Sequence, residues 1–266
     1  MKKFTLPAVV ILLLIIHACH DMSKGEKNPG TTDSSGVVST PVDSQQQTAA
    51  TSAPSANNQA VLGIDVSHFQ QKINWEEIKQ AGIQFTYYKA TQGVNSTDPN
   101  FQHNREGAEA SAMYNGAYHF YMAADDPVKQ AEHFLQHLLP LKAGQLPPVL
   151  DIEQGSVTNT TDKEKLMKDV LIWLQTVEQK AGIRPIIYTN HPFGDEYLRH
   201  ADFSNYHLWI AEYGVAKPKI PFAWTKKGWL IWQRTERGKI EGAVGNVDHD
   251  ILNGDLEVLK QLAAVK

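Results

Sequence analysis

From about Val61 onward, short apolar runs alternate with stretches whose apolar residues recur at helical spacing. Val61–Ser67 is an apolar run interrupted at Asp65, and Trp75–Gln80 reads as a helix closed by Gly82. Gln84–Ala90 is the next strand, Asn100–Ala112 the next helix and Gly116–Tyr121 a third strand. Asp126-Pro127 marks a helix start, with proline at the first helical position and Ala131, Phe134, Leu135 and Leu138 on one face. Pro148–Glu153 is the fourth strand. Asp162 caps a long helix that reaches Lys180 and stops at Gly182. Pro185–Thr189, His207–Ala211, Trp229–Gln233 and the segment around Gly245–Asp248 supply four more strands. A short helix is expected at Asp195–Arg199 and a terminal one at Leu256–Ala264.

Eight strands, the first five or six separated by helices and the last two joined by short loops, suggest an α/β fold: a βα barrel degenerate in its final third. An open doubly wound sheet is the alternative. No glycine-rich phosphate fingerprint follows any strand, which leaves nucleotide binding without support.

Ahead of this domain the pattern changes twice. Met1-Lys2-Lys3 is a basic start, and Leu6–Ile16 is an apolar stretch too short to span a bilayer, as in a secretory signal. Cys19, the chain's single cysteine, follows it in a setting that resembles a bacterial lipobox, implying cleavage before Cys19 and lipid attachment to it. Residues 20–60 are rich in Ser, Thr, Gln, Asn and Pro and bury too little to offset ordering entropy, so they read as a disordered tether. The remaining segment, 61–266, is long enough for one core and one domain. A net charge of −4 offers no basic face for nucleic acid. One cysteine excludes an intrachain disulfide, so the domain must stand on its own packing.

In a βα barrel, chemistry gathers where the parallel strands end. Those ends carry Asp65, Lys89, Tyr118 with His119, Asp151 with Glu153, Tyr188, Trp209 with Glu212 and Tyr213, Trp232 with Gln233, and Asp248. Acids mixed with aromatics describe a sugar site, where rings stack on pyranose C–H faces. Asp151 and Glu153 are the sharpest signal. Two residues apart on a strand they share a face, with Cα atoms roughly 6.6 Å apart. Like charge and burial then push one pKa up, as a glycosidase acid and its partner carboxylate require. Taken singly, each residue has a blander role: Tyr118, Trp209 and Trp232 as packing, Lys89 and Glu212 as an ion pair, His119 as a core histidine. Asp248-His249-Asp250 is superficially metal-like, but alternation turns His249 away from any face Asp248 occupies, so no metal is expected. No Gly-x-Ser-x-Gly nucleophile motif is present.

Taken in order, these segments resemble the glycoside hydrolase family 25 lysozymes, the muramidases. Gly63-Ile-Asp65-Val-Ser67-His-Phe-Gln70, Tyr88-Lys89-Ala90-Thr91-Gln92-Gly93, Gly116-Ala-Tyr118-His119-Phe120, Pro148-Val-Leu-Asp151-Ile-Glu153, Ile187-Tyr188-Thr189-Asn190, Leu208-Trp209-Ile-Ala211, Trp232-Gln233 and Val247-Asp248 carry the resemblance, which covers 61–266. It implies an irregular TIM-like barrel of five βα units plus three further strands. It also implies hydrolysis of the β-1,4 bond between N-acetylmuramic acid and N-acetylglucosamine in peptidoglycan, without a cofactor. Glu153 would be the general acid, and Asp151 would support charge at the anomeric centre or orient the substrate's acetamido group. Asp65 and Asp248 would be flanking acids. Tyr118, Tyr188, Trp209 and Tyr213 would line the groove, with Gln233 and Lys89 also contacting substrate. Gln92 stands where many members carry Glu, so Glu153 is expected to feel less repulsion and to be raised less. The resemblance is to an exported envelope enzyme, here a lipid-anchored monomer, with peptidoglycan strands as its partner and no nucleic acid. A glycan-binding module without catalysis and a chitin-directed glycosidase on the same scaffold are the alternatives.

Overall fold

The computed structural model describes residues 60–263. The proposed signal, Cys19 and nearly all of the tether lie outside the described residues. Nine strands form one sheet: β1 (Leu62–Val66), β2 (Phe85–Gln92), β3 (Ser96–Thr97), β4 (Tyr114–Phe120), β5 (Val149–Asp151), β6 (Ile186–Asn190), β7 (His207–Ala211), β8 (Ile231–Gly238) and β9 (Val247–Leu252). Pairing runs β1-β9-β8-β7-β6-β5-β4-β2, and β1 also pairs with β2, so eight strands close on themselves; β3 is a short addition beyond β2. The open doubly wound sheet is excluded by that closure.

Five βα units come first. They pair β1 with α1 (Trp75–Gln80), β2 with α2 (Phe101–Ala110), β4 with α3 (Pro127–Leu138), β5 with α4 (Lys163–Ala181) and β6 with α5 (His191–Tyr197). Three further strands then complete the barrel, and α6 (Leu256–Leu262) ends the described chain. The helix boundaries follow local chemistry. Asp126 accepts from Lys129 N with Pro127 in the first turn, Asp162 accepts from Glu164 N and Lys165 N, and Gly182 closes α4 at φ 69°. The helix expected at Asp195–Arg199 instead starts at His191, because Asn190 caps Phe193 N and Pro192 occupies the first turn.

Alternation along the strands separates two cores. Phe85, Tyr87, Val149, Ile186, Trp209 and Ile231 fill the barrel interior. Ile64, Tyr88, Leu150, Ile187, Leu208 and Ile210 face outward, against helix residues such as Phe134, Val170 and Trp173. Two glycines make room for the inner rings. A Cβ on Gly63 would lie 2.3 Å from the Phe85 ring, and one on Gly116 2.3 Å from that of Tyr87. The interior is thus plugged below the mouth.

The last strand differs from expectation. β9 runs antiparallel to both β1 and β8, and it extends to Leu252 rather than stopping near Asp248. Asp248 therefore lies near the start of its strand, not at a C-terminal end. Reversed direction brings that start to the same mouth as the other strands' ends.

Candidate active site

Asp65 and Asp248 are directly opposed Cα partners across β1 and β9. Asp65 is only 7% exposed, and its carboxyl bears directly on that of Asp248, whose pKa it raises. Gln233 Nε2 donates to Asp65 Oδ2 at 2.7 Å, while Gln233 Oε1 accepts from Tyr188 Oη at 2.9 Å and also from Tyr213 Oη. One buried amide therefore holds residues from β1, β6 and the β7 exit in a single network.

Across the mouth, Asp151 ends β5 in register with Phe120 of β4 and Tyr188 of β6. Its carbonyl accepts from Tyr121 N at 2.9 Å, and Ile152 N donates to Tyr188 O at 3.0 Å, which fixes the exit of the strand. Glu153 keeps an extended backbone (φ −151°, ψ −169°), so the alternation persists beyond the strand and both acids face inward. Ser156 Oγ accepts from Glu153 N at 3.1 Å and anchors the turn. Asp151 Oδ1 is buried with no hydrogen-bond partner among the described residues.

The field at this mouth is strongly acidic and poorly solvated. Burial raises Asp151 well above the carboxylate range, and the charge of Glu153 adds to it. Glu153 is also raised, first by burial, with the Lys89 ammonium opposing the rise. Asp248 is pushed up to about 9 by burial and then by Asp65. Both carboxyls of the pair are thus raised. The division expected from sequence, with Asp151 as the standing charge, does not follow from the protein's own field. Such a mouth can keep a proton above the ordinary carboxylate range, donate it, and stabilise positive charge beside it.

The family model described as glycosyl hydrolases family 25 matches residues 64–243, spanning β1 to the loop before β9. This chain belongs to that family. Uncharacterized protein YegX of Escherichia coli O6:H1 is 34% identical to it over 75% of this chain and 72% of its own length. Lysozyme M1 of Streptomyces globisporus is 30% identical over 78% and 73%. Among solved structures, the bacterial lysozyme from Streptomyces coelicolor superposes with a TM-score of 0.73 at 30% identity, covering 78% of this chain and 98% of that one.

Within this family 25 hydrolase, the residues expected at the site divide by strand face. Tyr118, Tyr188, Gln233 and Lys89 join the four acids at the mouth: the charges of Asp65 and Asp151 bear on Tyr118, and those of Asp151 and Glu153 on Lys89. Tyr213, 41% exposed, stands on the rim with its hydroxyl turned to Gln233. Trp209 is 1% exposed and belongs to the interior plug, where its Nε1 donates to Asp250 Oδ1 at 2.9 Å. His119 faces the outer core, between Thr91 Oγ1 at 2.8 Å and Gln130 Oε1 at 3.2 Å, and burial drives its pKa down to about 3. Trp232 also packs outward, its Nε1 donating to Glu212 O. No Lys89–Glu212 ion pair forms.

Lys89 instead donates to Gln92 Oε1 at 2.7 Å and lies 4.8 Å from the centre of the Phe120 ring. A bulge in β2 between Lys89 and Thr91 brings the two side chains together, since strict alternation would put them on opposite faces. Gln92 thus engages Lys89, the cation whose charge bears on Asp151 and Glu153.

Asp250 is the residue that the sequence reading missed. It is 2% exposed, two positions from Asp248 on the same face, and its charge raises Asp65. Period two in Asp248-His249-Asp250 was the available signal. His249 does turn outward, its ring against Gly238, where an added Cβ would lie 2.4 Å away. Among the described residues, no three His, Cys, Asp or Glu side chains group as metal ligands.

Proposed function

We propose that this chain hydrolyses the β-1,4 bond between N-acetylmuramic acid and N-acetylglucosamine in peptidoglycan. The carrying observation is the convergence of Asp65, Asp151, Glu153 and Asp248 on one barrel mouth. Relatives named lysozyme and N,O-diacetylmuramidase support the substrate class.

Glu153, raised by burial, holds the proton that passes to the glycosidic oxygen as the C–O bond breaks. Asp151 is the deeper of the two; with the pair's one proton on Glu153 and the Lys89 ammonium favouring its ionised form, it faces the anomeric carbon or the 2-acetamido group and carries negative charge as the sugar becomes positive. Water supplies the hydroxyl that ends on the anomeric carbon and the proton that restores Glu153. Asp65 and Asp248 hold sugar hydroxyls, with Gln233 fixing Asp65. Tyr118, Tyr188 and Tyr213 line the saccharide path, and Trp209 supports the floor through Asp250.

Residues 1–19 act as a lipoprotein signal, Cys19 carries the lipid and 20–60 tether a 61–266 catalytic domain that works as a monomer in the cell envelope. Cys19→Ser should move the protein from the membrane to the soluble fraction. Clearing of a suspension of purified peptidoglycan by the purified chain, beside Glu153→Gln, tests the activity. Equal clearing by both would remove Glu153 from its role, and clearing by neither would favour a binding module.

A further inference from the structure

Phe69 is 76% exposed, the most exposed large apolar side chain among the described residues, and it sits four residues beyond Asp65 at the exit of β1. The turn that carries it is tightly fastened. Ser67 Oγ accepts from Phe69 N, and Gln70 Oε1 accepts from Ser67 N at 2.8 Å. Gln70 Nε2 donates to Asn246 O at 3.2 Å, which ties the turn to the loop leading into Asp248. Gln71, at φ 56° and ψ −123°, holds a positive-φ backbone that residues with a side chain rarely adopt, and its carbonyl accepts from Asn100 Nδ2 at 2.9 Å. Beneath the phenyl ring lies His68, with ring centres 4.1 Å apart. His68 is clamped in turn by Asp98, whose side chain is fully buried: Oδ2 is 2.7 Å from Nδ1 and accepts from His68 N at 3.1 Å.

A fastened turn that presents a phenyl ring to water, seated only on His68, buries little apolar surface for the fold. Its place on the rim, joined to both β1 and the β9 approach, puts that ring beside the path of a glycan strand longer than the two sugars at the acids. The flat C–H face of a pyranose is the chemistry such a ring takes. We infer that Phe69, backed by His68 and Asp98, is a stacking platform for an N-acetylhexosamine ring of the strand beyond the cleaved bond. This rests on the peptidoglycan reading above and adds a subsite to it.

Two measurements separate this inference from its basis. Phe69→Ala, Phe69→Leu and Phe69→Trp are assayed on soluble glycan strands for KM and kcat. Ala and Leu should raise KM roughly three- to tenfold with a much smaller effect on kcat, while Trp should keep KM near the wild-type value. Melting temperatures should stay together, because the side chain is exposed. The same substitutions in a Glu153→Gln background are tested for sedimentation with insoluble peptidoglycan, where Ala and Leu should weaken binding by a similar factor whether or not the wild type turns over. An unchanged KM and unchanged sedimentation in Phe69→Ala overturn the platform. Wild-type behaviour of Phe69→Leu also overturns it, since bulk apolarity rather than a ring would then suffice. A wild type that binds through Phe69 but releases no reducing ends overturns the hydrolase reading alone.

Discussion

Asp65 and Asp248 face each other across an antiparallel pair, so the first and last strands of the barrel meet with their carboxyls side by side. Closure of the barrel therefore brings two like charges together in a buried place. Asp248 is pushed up to about 9 from an ordinary 3.8, chiefly by burial and next by Asp65. Folded protein holds this proton over a range in which the unfolded chain has lost it. The stabilising contribution is full below about pH 4 and is lost as pH rises through about 9. Asp248→Asn keeps the size and removes the titration. Its melting temperature, followed by calorimetry, should fall less steeply than that of the wild type between mildly acidic pH and pH 9. Parallel curves would contradict the raised value.

The Lys89–Gln92 contact predicts a shift in the alkaline limb of the pH–rate profile. Lys89 favours the ionised forms of Asp151 and Glu153. Gln92→Glu would put a carboxylate on the Lys89 ammonium and offset its effect on both acids, so Glu153 should keep its proton to higher pH. Lys89→Met should move the limb the same way. An alkaline limb that stays at the wild-type pH in both variants would show that Lys89 does not act on the pair.

Gln233 predicts a coupled loss. Gln233→Leu deprives two tyrosine hydroxyls of their acceptor and Asp65 of its donor in a buried setting. Denaturant unfolding should show a loss of about 1–3 kcal/mol, together with reduced turnover of peptidoglycan. Unchanged stability would mean that water replaces the amide freely.

Much of this was legible because a barrel strand is apolar on both faces and stands out as a short run between helical stretches. The five βα units, the caps at Asp126 and Asp162, and the mouth acids came from that pattern and from the motif order. Strand direction did not. A run such as Val247–Leu252 reads the same parallel or antiparallel, so the sequence places Asp248 at the right mouth but at the wrong end of its strand. β3 is only two residues long, below any periodicity. The β2 bulge is set by tertiary pairing rather than by a residue type, which hid the meeting of Lys89 with Gln92. Asp250 is legible from its two-residue spacing to Asp248, which puts both carboxyls on one face of the strand, although the triplet looks first like a metal motif. Gln233 was named for its position; its grip on three elements is visible only in three dimensions.

Glu153 as the proton donor is the centre of this account, and one digestion tests it. Purified peptidoglycan is treated with the wild type and with Glu153→Gln, and the new reducing ends are identified by mass spectrometry after borohydride reduction. The wild type should release N-acetylmuramic acid at the reducing end, and Glu153→Gln should lower the rate by roughly 10²–10⁴-fold with its melting curve intact. Reducing-end N-acetylglucosamine, or comparable rates from the two proteins, would contradict it.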